Sequence, residues 1–111
     1  MEKTLLHKRL DRARKHQLMT QELAKSIPRL YSQENNSDPT VVVKFFSPFS
    51  SFTWYITEYD GEDTMFGLVK NGADSELGYV SLQELGELHR KGLPLVERDL
   101  YWNPTPLSTV K

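Results

Sequence analysis

The chain has 111 residues, a formal net charge of −1 and no cysteine. That length makes one domain with a core that needs no staples, while the missing cysteine excludes disulfides and thiolate zinc sites and points to a reducing, cytoplasmic setting. The apolar runs are far too short for a membrane span, and the charged start MEKTLLHKRLDRARKHQ lacks the apolar stretch of an export signal.

The small net charge hides an asymmetry. Residues 1–29 hold eight basic side chains against three acidic, and the remainder holds six against twelve. Residues 3–17 are expected to form a helix, with Leu5, Leu6, Leu10 and Ala13 on one narrow apolar stripe. Around it, Lys8, Arg9, Arg12, Arg14 and Lys15 make a cationic face able to follow phosphates. A solvated helix, or one docked on the acidic body, is the preferred reading of this face. Residues 1–17 read as a basic helical extension, and 18–111 as a single compact domain.

Thr20 is the expected cap of a second short helix that places Leu23 and Ile27 inward and ends at Pro28. A polar loop, SQENNSDP, follows from Ser32 to Pro39. Strands are then expected over Thr40–Phe46, Phe52–Tyr59, Thr64–Lys70 and Glu76–Val80. Strict alternation in the first would put Val41, Val43 and Phe45 on one face. Asp60-Gly61 and Asn71-Gly72 supply the turns between strands. Ser81-Leu82-Gln83-Glu84 reads as a reciprocal capping box, opening a helix to about His89 or Arg90 that buries Leu82, Leu85 and Leu88 and stops at Gly92. Leu93 to Trp102 is a last extended segment. The fold class is α+β: a mostly antiparallel sheet of four or five strands, with the short capped helix and the N-terminal helices packed on it.

Glu58, Asp60, Glu62 and Asp63 cluster around one hairpin, and Glu97 and Asp99 alternate on the last strand. Converging carboxylates can hold a divalent cation, and Glu58, Asp60, Asp63 and Asp99 would be the set for a metal-dependent hydrolase. A solvated turn is the favoured reading, so no metal site and no cofactor are expected. His7, His16 and His89 have no partner at a metal-binding spacing, and no serine has a recognisable base. No catalytic residue is therefore assigned. The aromatics outnumber what one sheet face buries, and adjacent Trp54 and Tyr55 must point to opposite faces. The second face is expected to be covered by the helices; failing that, it is a hot spot for a protein partner or a platform for stacking bases.

The segments Leu30-Tyr31, DPTVVVKFFSP (38–48), FTWYITEYDGEDTMFGLV (52–69), ELGYVSLQEL (76–85) and GLPLVERDLYWNPTPLS (92–108) occur in that order. In them the chain resembles the family called domain of unknown function 2958, over about residues 18 to 108. The resemblance implies a compact domain carried on bacterial plasmids and other mobile elements, often near antirestriction or plasmid-maintenance genes. It implies no catalytic residues. The expected function is a non-catalytic interaction protein that binds a host or element-encoded protein, in defence evasion or plasmid maintenance. Trp54, Tyr55, Tyr59, Asp60, Glu62, Asp63 and Trp102 are its expected contact residues. The alternative is a nucleic-acid-binding accessory factor working through residues 1–17.

Overall fold

The computed structural model describes residues 3–111, so the first two residues of the basic segment lie outside the described residues. In chain order the elements are α1 (Leu5–Arg14), α2 (Gln21–Ser26), β1 (Thr40–Val41), β2 (Val43–Phe46), β3 (Phe52–Tyr59), β4 (Thr64–Asn71), β5 (Asp74–Ser81), α3 (Leu82–Glu87), β6 (His89–Arg90), β7 (Leu93–Pro94), β8 (Glu97–Arg98), β9 (Thr105–Pro106) and a 3-10 turn, Leu107–Thr109. The main sheet is antiparallel in the order β5-β4-β3-β2-β8, flanked by the two-stranded pairs β1-β9 and β6-β7. This is the α+β architecture expected, with five strands. No described helix is long and apolar enough to cross a membrane.

α1 starts where the Thr4 hydroxyl accepts the His7 amide at 3.0 Å, and it ends at Lys15 in the left-handed region (φ 65°). Its inward face keeps only part of the expected apolar stripe, with Leu10 buried and Leu6 half-buried. Leu5 is 81% exposed and Ala13 is exposed, whereas His7, Leu10, Asp11 and Arg14 are buried. Those four follow helical spacing, but three of them are ionisable, which hides the face from any count of apolar residues. The helix packs on α3 and β7. Arg14 anchors it: its Nε donates to the Val96 carbonyl at 3.0 Å and its Nη2 to that of Gly86 at 3.2 Å, while Nη1 bonds Asp11. α1 is thus packed into the body.

Two bulges shape the sheet. Val43 lies opposite Ile56, yet the Val42 amide also bonds the Ile56 carbonyl at 2.9 Å, so two residues face one. The strand expected from Thr40 to Phe46 is therefore split, and its alternation fails. Val41 joins a cluster with Leu68 and Leu107, while Val43 and Phe45 join the main core. The second bulge falls between Ile56 and Glu58 on β3. It turns Tyr59 into the main core beside Trp54 and Ile56, and sends Glu58 to the other face opposite Phe66.

The helices all serve the first face. Leu18, Met19 and Ile27 from the N-terminal region and Leu82 and Leu85 from α3 close over Val43, Phe45, Trp54 and Ile56. Part of the second face is covered by the C-terminal segment, with Leu107, Trp102 and Val110 packing near Val41, Leu68 and Tyr55. The expectation that helices cover this face is corrected accordingly.

α3 is shorter than expected. It ends at Glu87, Leu88 is exposed, and His89-Arg90 pairs with Leu93-Pro94 across Lys91 (φ 51°) and Gly92 (φ 81°). Two consecutive positive φ values are the signature of a tight hairpin turn, so Gly92 makes a hairpin and not a helix stop.

Candidate functional site

The residues expected to bind a partner divide into three groups. Trp54 is 8% exposed and Tyr59 4%, so both are core. Burial, then the neighbouring Asp60, Asp63 and Glu62 carboxylates, push the Tyr59 phenol up to about 12, which keeps it neutral. Tyr55 and Trp102 are half-buried against each other, ring centroids 5.8 Å apart, and the Trp102 indole N–H donates to the Val41 carbonyl at 3.0 Å. Lys44 Nζ lies 5.9 Å from the Tyr55 centroid and 5.6 Å from that of Trp102. These two rings hold the C-terminal segment to the sheet.

The acidic hairpin is turned to structural work. One oxygen of Asp60 accepts the amides of Glu62, Asp63 and Thr64 at 2.7, 2.8 and 3.1 Å. Its carboxyl is held below the ordinary range by those bonds, which outweigh the opposing effect of burial. Asp63 secures the start of α3. It accepts the Gln83 amide and the Ser81 hydroxyl, both at 2.7 Å, while Ser81 Oγ accepts the Glu84 amide at 3.1 Å. Only the serine half of the expected capping box forms, and Asp63 takes up the Gln83 amide beside it. Of this hairpin's carboxylates only Glu62 is exposed.

Nor do the carboxylates of the hydrolase hypothesis meet. Glu58 is buried on the second face, where its two oxygens accept the Tyr31 and Gln33 amides at 2.9 and 2.8 Å. Asp99 lies 3.6 Å from Lys44 Nζ and accepts the Tyr101 amide at 3.0 Å. Among the described residues no group of three His, Asp or Glu side chains is placed to hold a metal ion.

On the basic helix, Lys8, Arg9, Arg12 and Lys15 are exposed, while Arg14 is committed to the interior. His7 is buried with Nε2 facing Asp11 at 3.6 Å, too far for a hydrogen bond. Burial lowers its pKa, as it does that of His16. His16 Nε2 accepts the Arg98 amide at 3.0 Å, which fixes the neutral ring with its proton on Nδ1, 3.1 Å from the Arg14 carbonyl.

What remains open is the outer margin of β5. Its whole length lies at the edge of the sheet, with β4 as its one neighbour. Leu77 is 48% exposed and Tyr79 59%, and the Tyr79 ring stands edge-on to Phe66 with centroids 5.0 Å apart. Beside them a groove of about 460 Å³ runs between Tyr31, Glu58, Phe66 and Tyr79. Sequence patterns do not mark this margin, because they do not say which strand ends the sheet. The strand order depends on long-range pairing, which local patterns do not carry. A second groove, about 670 Å³, lies between Phe49, Phe52, Leu88 and Leu93 at the other end of the sheet.

No curated protein and no solved structure shows significant similarity to the chain. The family model described as Protein of unknown function (DUF2958) matches residues 10–110. That match begins inside α1, which agrees with Leu10, Asp11 and Arg14 being part of the packed body. With the match covering nearly the whole length, this chain belongs to the DUF2958 family.

Proposed function

We propose that this chain is a small, non-catalytic interaction protein of a bacterial mobile element, which binds a host or element-encoded protein in defence evasion or plasmid maintenance. The observation that carries this reading is the uncovered eight-residue margin of β5, with Leu77 and Tyr79 exposed on it. Exposed sheet edges invite another chain, and a strand without a lysine, a proline or a bulge is suited to recognition. The mobile-element setting follows from the family resemblance alone. The test is affinity capture of the tagged protein from a nuclease-treated bacterial lysate. The reading predicts one protein recovered in stoichiometric amount and retained as salt is raised. Recovery of nothing, or of nucleic acid alone from an untreated lysate, contradicts it.

A second reading has its own observation. Lys8, Arg9, Arg12 and Lys15 are all exposed on or just after α1, which suits contact with backbone phosphates. It predicts nucleic-acid retention that collapses between low and moderate salt and is lost when these four residues become glutamine.

A further inference from the structure

β5 has the sequence DSELGYVS, and its register with β4 runs unbroken from Thr64 opposite Ser81 to Asn71 opposite Asp74. The two-residue loop between them, Gly72-Ala73, dictates which backbone groups point where. The pair that closes a two-residue hairpin exchanges both hydrogen bonds, and bonded pairs recur at every second residue. The backbone N–H and C=O groups of Asp74, Glu76, Gly78 and Val80 are therefore directed at β4. Those of Ser75, Leu77 and Tyr79 are directed away from the sheet.

Edge strands normally carry a lysine, a proline or a bulge that blocks pairing. β5 has none of these. A flat row of outward amides and carbonyls is satisfied by one kind of occupant, an extended backbone. The side chains on either face say what that backbone carries. Leu77 lies opposite Leu68, and Tyr79 packs on Phe66, so both stand on the second face. Glu76 lies opposite Val69 on the first face, with Asp74 two residues away on the same side. The strand has two carboxylates and no cation.

We propose that the outer edge of β5 receives an extended segment of the partner protein in which apolar or aromatic residues alternate with lysine or arginine. The segment pairs with the backbone of Leu77 and Tyr79. Its apolar side chains lie along Leu77 and Tyr79, and its basic ones face Glu76 and Asp74. This rests on the interaction reading above and names the partner's chemistry. A second copy of this chain is the poorer occupant, because it would bring two acidic strands side by side.

The experiment is selection from a displayed library of randomised octapeptides against the whole protein, followed by an N-methyl scan of the selected sequence. The expected winners alternate apolar and basic residues. Methylation should weaken binding roughly tenfold at alternate amides and leave the intervening ones unaffected, because only one edge of an added strand is bonded. Leu77→Pro removes an outward N–H without removing a bond to β4, so the sheet tolerates it, and it should weaken binding at least tenfold. Leu77→Ala, which keeps the amide, should weaken it less, and Glu76→Lys should select against the basic residues. The methyl scan needs no protein variant, so the test stands even if Leu77→Pro misfolds. A library with no winner, a scan without the two-residue period, or equal binding to a folded Leu77→Pro variant overturns the proposal. Self-association abolished by Leu77→Pro also overturns it, in favour of a second copy. A lysate partner still captured by Leu77→Pro leaves the interaction reading intact and rejects the edge alone.

Discussion

Arg14→Ala tests whether α1 belongs to the folded body. The Arg14 side chain is 0% exposed and its Asp11 partner 9%. Truncation removes the ion pair and strips the Val96 and Gly86 carbonyls of their donors. Lys3, 3.0 Å from Asp11, is the nearest other cation but is partly exposed, so it compensates incompletely. Breaking a buried pair from one side costs about 3–5 kcal/mol, against a total stability of about 5–15 kcal/mol for such a domain. Urea unfolding should show a much lower midpoint at unchanged slope. Arg14→Lys should recover only part, since an ammonium cannot span both carbonyls. Arg12→Ala, on the exposed face of the same helix, should stay within about 0.5 kcal/mol of the parent. Deleting residues 1–17 removes Leu10, Asp11 and Arg14 together and should abolish the cooperative transition. A loss below about 1 kcal/mol for Arg14→Ala would refute this reasoning.

Trp54→Ala should cost about 3–5 kcal/mol, because the ring is core and stacks on Phe52 at 5.5 Å; a near-parental melt would place Trp54 outside the core. Gly67→Ala should destabilise by roughly 1–3 kcal/mol, since a Cβ there would lie 2.0 Å from the Tyr55 carbonyl oxygen and force the backbones apart; calorimetry of the variant checks it. Burial lowers the pKa of both His7 and His16 below 6.5, so the unfolded chain binds more protons than the folded one between their folded values and 6.5. Stability should therefore rise with pH through that window and be lost as pH falls below about 6.5. Urea midpoints from pH 7.5 downward measure this, and His16→Gln should flatten the slope.

Where local chemistry decides, the sequence was legible. Thr20 caps α2 by accepting the Leu23 amide at 3.1 Å, and Ser81 caps α3, each as its residue type demands. The strands fell where β-branched and aromatic residues concentrate. What escaped was set by partners distant in the chain. The bulges at Val42 and near Thr57 re-aim Val41 and Tyr59, and nothing in period-two alternation announces them. The buried face of α1 is polar, and its meaning appears only when Arg14 meets Val96 and Gly86, more than seventy residues away. Asp60 and Asp63, grouped by sequence as a surface feature, are consumed by backbone amides. Sequence proximity brought those carboxylates into one hypothesis, and hydrogen-bond demand separated them.

Amide hydrogen exchange of the protein with and without its captured partner distinguishes edge pairing from every other mode of binding. Leu77 and Tyr79, whose amides point out of the sheet, should exchange fast alone and become protected in the complex. Glu76 and Gly78, already bonded to β4, should change little. Unaltered exchange at Leu77 and Tyr79 in a saturated complex would contradict it.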